Sequence, residues 1–217
     1  MIYRSGPWND ARPFSYDHDD PLGSNVANKL LATYLHTRRG NCVSMPVLFL
    51  ILADRIGLNV GLSTAPLHVL VRYTDSQGRA FNLETTSGAN LARLAWYRQN
   101  LPMTDRALES GLYMRTLSKR ESIALMAATV VAWLINGGRY EDAIEVADVL
   151  LRHDPLNGHV MAKRGDAYGQ LLRTEFIERY PNPAAIPAEL RPRYAMLGTR
   201  NAQDFERAES LGWTAAR

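Results

Sequence analysis

One cysteine, one histidine and one glutamate are the residues of this sequence best suited to chemistry. Cys42 is the only cysteine among the 217 residues, and it follows Gly40-Asn41 at the predicted start of a helix that runs from about Cys42 to Ile56. A helix N-terminus presents unpaired N–H groups and a partial positive charge, which stabilise a thiolate relative to a thiol. The same N–H groups can stabilise the oxyanion of an acyl-transfer reaction. Cys42 is therefore predicted to be a nucleophile.

His68 and Glu84 lie on the two strands of a predicted β-hairpin. The strands run from Leu67 to Tyr73 and from Arg79 to Thr85, joined by a turn centred near residue 76. Because His68 and Glu84 are equally far from that centre, they are predicted to face each other across the hairpin. Glu84 would then hold His68 in one tautomer, which is the role of the third residue of a catalytic triad.

Each of these residues also has an ordinary structural interpretation. A lone cysteine on an apolar helix is usually a small buried hydrophobic residue. His68 alone would be a strand residue with a satisfied ring, and Glu84 alone would be a surface charge. Asn82 lies on the same predicted face as Glu84 and is a second candidate for the partner of His68. The order of cysteine at a helix start, histidine on the next strand and carboxylate on the hairpin partner favours a catalytic site.

Three segments around these residues resemble motifs of bacterial transglutaminase-like proteins. Residues 40–46 and 53–58 resemble the cysteine-helix motif, residues 65–72 the histidine strand, and residues 82–88 the acidic strand. Many members of the family carry Asp followed by Pro-Thr at the position of Glu84. The resemblance covers about residues 14–105. It implies an α+β fold with a transglutaminase/papain-like core, in which the helix that bears the cysteine packs on a small antiparallel sheet.

The resemblance also implies a site and a reaction. The three residues above would form a triad that makes a thioester with a carboxamide or peptide acyl group of a protein or peptide substrate. Water as the acceptor gives a protease or deamidase, and an amine gives a transglutaminase. No cofactor is implied. Such proteins often complete the oxyanion hole with a further residue, for which Asn41, Tyr34 and His36 are candidates; packing of a helix face on the core is the alternative for Tyr34 and His36.

Two domains are predicted to position the site. Residues 1–104 form the catalytic domain, with residues 1–23 as an irregular N-terminal arm, and residues 105–217 form an all-α region. Helical periodicity predicts four helices in the second domain: Glu121–Ile135, Tyr140–Arg152, Gly158–Leu172 and roughly Pro187–Leu211.

Two further elements are predicted in the first domain. Ser24 or Asn25 is predicted to cap a helix whose apolar positions run from Val26 to Leu35, and Gly40 is suited to end it in a left-handed conformation. A third strand is predicted over Leu58–Ser63, and the segment from Asn90 to Gly111 is read as a linker between the two halves.

Part of the C-terminal half resembles a tetratricopeptide repeat. Residues 138–144 followed by Asp154-Pro155 match one repeat, and Gly165 and Tyr168 then fall where the next repeat favours a small residue and an aromatic one. This amounts to about one and a half repeats, whereas a free-standing array needs about three. The resemblance implies a groove for a protein or peptide partner, and a purely structural helical cap is the alternative.

Composition excludes several classes of protein. A net charge of +3 without a concentrated basic patch argues against nucleic-acid binding. One cysteine rules out an intrachain disulfide and a thiolate zinc cluster, and the histidines have no ligand spacing, so no metal is expected. The apolar stretch Val43–Ala53 is too short to cross a bilayer, so no membrane association is expected. The first residues lack a secretory pattern, which predicts a cytoplasmic protein, or a periplasmic or secreted one if a signal peptide has been removed upstream.

Two functional hypotheses follow from these residues. The leading one is cysteine-dependent acyl transfer on a protein or peptide amide. The alternative is a non-catalytic protein-binding scaffold, built from a degenerate transglutaminase fold and helical repeats. The reactivity of Cys42 separates the two.

Overall fold

A computed structural model describes residues 2–21 and 23–215 of the protein. The strands are β1 (Ser15–Tyr16), β2 (Arg39–Gly40), β3 (Val60–Ala65), β4 (His68–Thr74), β5 (Ala80–Glu84) and β6 (Asn90–Ala92). The α-helices are α1 (Leu31–Thr37), α2 (Ser44–Arg55), α3 (Leu94–Asn100), α4 (Asp105–Glu109), α5 (Lys119–Asn136), α6 (Tyr140–His153), α7 (Gly158–Leu172) and α8 (Arg191–Ser210). Within the described ranges, no helix is both long enough and apolar enough to span a membrane.

The described residues form two compact units. The first contains the residues up to Met103 together with Tyr113–Ser122, and the second contains Thr104–Leu112 and Ile123–Ala215. All the strands named above belong to the first unit, and the regular structure of the second is helical. The fold is therefore α+β, with the sheet confined to one unit.

The first unit is built on a four-stranded antiparallel sheet with the strand order β3-β4-β5-β6. The predicted hairpin is β4 and β5, and the predicted third strand is β3, shifted along the chain by two residues. The linker predicted from Asn90 instead begins with β6, which pairs with β5, and continues into α3. A strand of three residues is too short to show an alternating pattern, so β6 could not be predicted from periodicity. Helix α2 packs against β3 and β4.

The helix predicted over Val26–Leu35 is split in two. A 3-10 turn over Val26–Lys29 is capped by the Asn25 side chain, the chain is extended at Leu30, and α1 follows. The left-handed residue that ends α1 is Arg38, with φ of 58°, and not Gly40 as predicted.

Gly40 lies in β2 instead, and its lack of a side chain has a different reason. A Cβ atom at this position would lie 2.6 Å from the ring of Tyr34 and 2.8 Å from the hydroxyl of Ser44. Only glycine allows the chain to pass this close to both side chains.

The predicted irregular arm contains a 3-10 turn over Pro7–Asn9 and the two-residue strand β1. β1 pairs in parallel with β2, two residues before Cys42 in the chain. The arm therefore contacts the segment that leads into the cysteine. Of the arm predicted over residues 1–23, residues 1 and 22 lie outside the described residues.

The second unit is a set of helices with a core of small and branched side chains. α5, α6 and α7 bury Ala128, Val131, Leu134, Ala143, Ala147, Val160 and Ala167. α7 packs closely on α8 at Gly165, where a Cβ atom would lie 3.0 Å from the Phe205 ring. Arg164 of α7 binds both carboxylate oxygens of Asp204 of α8, at 2.8 and 2.5 Å, and also pairs with Asp148.

The predicted helices correspond to α5, α6, α7 and α8. The largest difference is at α8, which begins at Arg191 because a separate 3-10 turn, Ala188–Leu190, occupies the start of the predicted segment. α7 continues into a π-helical turn over Arg173–Ile177. The assignment of tetratricopeptide repeats and of a partner-binding groove in this unit stays a prediction.

Candidate functional site

Cys42 lies in a tight turn two residues before the first residue of α2, and not within the helix as predicted. The turn is held by Asn41, whose side-chain oxygen accepts the backbone N–H groups of Val43 at 3.0 Å and Ser44 at 3.2 Å. The Asn41 amide nitrogen donates to the carbonyl of Asn28 at 3.2 Å, and the residue is 1% exposed. Asn41 therefore fixes the backbone on both sides of Cys42.

This capping changes the expected source of an oxyanion hole. The N–H groups of Val43, the residue before α2, and of Ser44, its first residue, lie where the sequence predicted free donors, but they are bound by Asn41. The side chain of Asn41 thus satisfies the donors that a helix N-terminus leaves unpaired. Asn41 supports the position of Cys42 through these bonds.

The Cys42 thiol lies beside the start of β4. Its Sγ is 3.8 Å from the carbonyl oxygen of Leu67, and Cys42 is one of the groups that raise the pKa of His68. Leu67 ends the two-residue turn between β3 and β4, since Ala65 pairs with His68 across it. Leu67 has φ of +53° and is 72% exposed. A leucine in the left-handed region costs about 1–2 kcal/mol relative to an ordinary conformation, so the backbone beside Cys42 is strained.

His68 and Glu84 form a direct hydrogen bond, with Nε2 of His68 2.7 Å from Oε2 of Glu84. The two residues were predicted to fall about opposite each other, and the observed pairing is offset from that by two positions, because Val71 pairs with Leu83 and Arg72 with Asn82. A shift of two residues keeps both side chains on the same face of the sheet, which is why they still meet, diagonally. Since Nε2 is bound to Glu84, Nδ1 is the ring nitrogen left for Cys42.

Glu84 accepts hydrogen bonds from three residues. Oε2 accepts the Tyr97 hydroxyl at 3.2 Å in addition to His68, and Oε1 accepts the Thr86 backbone N–H at 3.2 Å and the Thr86 hydroxyl at 2.6 Å. Burial by itself raises the pKa of Glu84, but the hydrogen bonds from His68 and Thr86 and the charge of His68 outweigh it and hold that pKa below its usual value. The carboxylate is therefore charged and fixed in orientation.

The surroundings of His68 favour its charged form. Burial of the ring lowers its pKa, but the hydrogen bonds to Cys42 and Glu84, together with the charges of both, raise the pKa of His68 to about 9. An imidazolium next to the sulfur stabilises a thiolate.

Two residues of this cluster were missed by sequence reasoning. Thr86 lies two positions after Glu84, and its hydrogen bonds to the carboxylate form a short local turn of a kind the sequence could have suggested. Tyr97 lies on α3, is fully buried, and reaches Glu84 from a different element. No local pattern marks such a residue.

The other predicted residues lie apart from the His68–Glu84 bond. The Asn82 amide donates to the carbonyl of Ala92 on β6 at 3.3 Å, so it ties two strands together and does not bind His68. Tyr34 is fully buried against Met45 and Leu48, and its ring meets that of Phe14 edge-on. These contacts match the alternative given for Tyr34, a helix residue packed on the core. His36 is exposed on α1.

A cavity of about 700 Å³ opens beside His68 and Glu84. Its wall is formed by the segment from Thr86 to α3, and Cys42 is not among the residues that line it. The lining residues are His68, Glu84, Thr86, Ser87, Leu91, Ala92, Arg93, Ala95, Trp96 and Gln99. In the part of the chain that the structure describes, no cluster of three or more His, Cys, Asp or Glu residues could hold a metal ion.

Comparison with known proteins gives one family and two relatives. A sequence model of the transglutaminase-like superfamily matches residues 12–128, more than half of the chain. The UPF0162 protein BU173 of Buchnera aphidicola subsp. Acyrthosiphon pisum is 27% identical over 63% of this chain and 51% of its own length. A UPF0162 protein of Buchnera aphidicola subsp. Baizongia pistaciae is 24% identical over the same shares.

The names of these relatives state no activity, and the chain spans about half the length of each. No solved structure matches the chain significantly.

Proposed function

This chain belongs to the transglutaminase-like superfamily, and we propose that it catalyses cysteine-dependent acyl transfer on a protein or peptide amide. The observation that carries the proposal is the 2.7 Å hydrogen bond between His68 and Glu84, with the Cys42 thiol beside the start of the strand that bears His68. In the proposed site Cys42 is the nucleophile, His68 the acid and base, and Glu84 the residue that orients the ring. The core of the domain is proposed to be papain-like, with α2 following the nucleophile.

The first half-reaction makes a thioester. Cys42 gives its proton to His68, and the thiolate attacks the amide carbon, so that a C–S bond forms and the carbonyl oxygen gains the negative charge. The C–N bond then breaks, and the imidazolium of His68 gives its proton to the leaving amine. Glu84 stabilises the imidazolium throughout and does not itself take the proton.

The second half-reaction releases the acyl group. Water or an amine attacks the thioester carbon, and His68 takes a proton from the attacking molecule. The C–S bond then breaks and releases Cys42 as a thiolate, which His68 can protonate again. With water the product is a carboxylic acid, and with an amine it is a new amide. Either acceptor uses the same three residues in the same roles.

The reactivity of Cys42 tests the proposal first. We expect iodoacetamide to alkylate Cys42 at pH 7 at least tenfold faster than a free cysteine, because His68 stabilises the thiolate. His68→Gln should slow alkylation to the rate of a free thiol or below, and Glu84→Gln should slow it less. His153→Gln, a change of the same type at an exposed histidine of α6, is the matched control and should leave the rate unchanged.

The reaction itself is tested in a cell lysate. Wild-type protein and Cys42→Ala are incubated in parallel, and new cleavages, deamidations and crosslinks are mapped by mass spectrometry. The proposal expects modifications that require Cys42, and their chemistry identifies the acceptor. Slow alkylation of Cys42 together with identical modification maps would reject acyl transfer in favour of the non-catalytic scaffold.

A further inference from the structure

The roles proposed for Cys42, His68 and Glu84 do not account for the cavity beside His68. It lies next to the His68–Glu84 pair, and Cys42 does not line it. Its volume of about 700 Å³ falls within the range of about 300–1,000 Å³ that is typical of ligand sites. It therefore has room for a group larger than water on the histidine side of the site.

One wall of this cavity presents apolar side chains to solvent. Leu91 of β6 is 70% exposed and Trp96 of α3 is 49% exposed. The Trp96 ring contacts the ring of Tyr97 edge-on, with centroids 5.1 Å apart, and Tyr97 is fully buried. Trp96 is thus supported from below and offers a large apolar surface at a low cost in side-chain entropy.

The charge of the wall is positive. Arg93 is exposed at the start of α3, and within the described residues its guanidinium has no ion-pair partner. The carboxylate of Glu84, the other charged group of the wall besides His68, is bound by His68, Tyr97 and Thr86. Arg93 is therefore left to bind an anionic group of a ligand, for which a carboxylate has the matching geometry.

The chemistry of the proposed reaction determines which part of a substrate lies on the His68 side of the site. His68 gives its proton to the nitrogen of the leaving amine when the C–N bond breaks, so the leaving group must lie close to His68. A water molecule or amine that enters in the second step takes the same place, since it gives a proton to His68.

We propose that this cavity binds the amine half of the reaction, an apolar amino acid or a short peptide that ends in one, with its carboxylate on Arg93 and its side chain on Leu91 and Trp96. The inference rests on the proposed function, because the proposed reaction is what places the amine next to His68. The preferred scissile bond is then near the C-terminus of a peptide with an apolar last residue. In the reverse sense, the same amine attacks the thioester as acceptor.

Binding is measured without turnover in Cys42→Ala. Isothermal titration calorimetry compares the dipeptide alanyl-phenylalanine, its C-terminal amide and alanyl-alanine. We expect alanyl-phenylalanine to bind best, the amide about fivefold more weakly because it lacks the carboxylate, and alanyl-alanine more weakly because it lacks the ring. The preference for the acid over the amide should shrink at high salt.

Substitutions in the same background assign these preferences to residues. Arg93→Gln should remove the preference for the acid, and Arg93→Lys should keep part of it. Arg55→Gln removes the same charge from an exposed arginine of α2 outside the cavity, and it should change nothing. Trp96→Ala should weaken the binding of alanyl-phenylalanine and of its C-terminal amide equally. Equal binding of the acid and the amide, or an equal effect of Arg93→Gln on both, would overturn the inference.

The inference and the proposed function can fail separately. If the dipeptide binds through Arg93 and Trp96 while wild-type protein modifies no substrate, the cavity is a binding site and acyl transfer is rejected. If wild-type protein modifies substrates through Cys42 with no preference for a carboxylate or an apolar residue near the scissile bond, acyl transfer stands and this role of the cavity is rejected.

Discussion

The two units of the protein differ in how much backbone strain they contain. Among the described residues, every residue other than glycine with a positive φ lies in the first unit: Asp10, Ala11, Arg38, Leu67, Ala89 and Met114. Where the second unit needs a positive φ, as at Gly138 between α5 and α6, glycine supplies it.

Buried polar groups divide in the same way. The buried hydroxyl groups that lack a hydrogen-bond partner, in the ranges the structure describes, belong to Tyr3, Tyr34, Ser63 and Thr85, all in the first unit. In the second unit the buried carboxylate of Asp204 is bound by Arg164 at two oxygens. A buried unpaired hydroxyl costs about 1–3 kcal/mol.

This contrast locates the strain of the molecule in the unit that holds the candidate site. Strained and unsatisfied groups persist when the surrounding structure over-determines them, and they are common at functional sites. The helical unit, by comparison, has local geometry, packing and charge pairing that agree with one another.

The largest change in the free energy of unfolding is expected from a substitution in the second unit, where Arg164 neutralises a buried charge. Arg164→Ala leaves Asp204, which is 4% exposed, without its partner, and should lower the free energy of unfolding by about 3 kcal/mol. Urea unfolding followed by circular dichroism measures the loss. Arg152→Ala, at an exposed arginine of α6, is the control and should cost less than about 0.5 kcal/mol. A similar small loss for both variants would mean that the pairing of charges does not distinguish this unit.

A smaller effect is expected from pH in the first unit. The pKa of His68 rises from 6.5 to about 9 on folding, so the folded state holds a proton that the unfolded state has released between these values. The stability that this proton provides is complete below pH 6.5 and is lost as the pH rises through about 9. Glu84 acts in the opposite sense, because its lowered pKa gives stability above pH 4.5 that is lost in acid.

Urea titrations between pH 6 and 9.5 measure the first of these losses. His68→Gln cannot take up the proton, and its stability should stay nearly constant over this range. A wild-type protein as insensitive to pH as this variant would contradict the raised pKa of His68.

The smallest effects compare the two units at a positive φ. Leu67→Gly should raise the free energy of unfolding by about 0.5 kcal/mol, since the relief of strain slightly exceeds the entropy cost of glycine and little buried surface is lost. Gly138→Ala, where an added Cβ atom has no neighbour within 4 Å, should lower it by about 1 kcal/mol through φ alone. Thermal unfolding measures both. A loss of stability in Leu67→Gly would show that the leucine side chain contributes more than its conformation costs.

The sequence predicted the elements better than their ends. The periodicity of the C-terminal helices is local, and it placed α6 and α7 within one residue of their observed bounds. The prediction that Gly40 ends the first helix was wrong, because Gly40 is needed for a close approach to Tyr34, which is a tertiary contact. Arg38 takes the left-handed position because Gly40 is needed elsewhere.

The contact between His68 and Glu84 could be predicted because it depends on face and not on exact register. Side chains alternate along a strand, so an error of two positions in the pairing leaves the prediction of a shared face intact. The places of Cys42 and Tyr97 could not be predicted in the same way. The first depends on a cap from Asn41, and the second on the packing of α3 against the sheet residue Glu84.

The close contact at Gly40 has a consequence for sequence variation. Any side chain at this position would collide with the Tyr34 ring and the Ser44 hydroxyl, and so would displace the turn that carries Cys42. Proteins that keep this turn should therefore keep glycine two residues before the cysteine, even where the cysteine itself has been replaced. A relative that has lost the nucleophile but retains the glycine would be recognisable as having the same architecture without its chemistry.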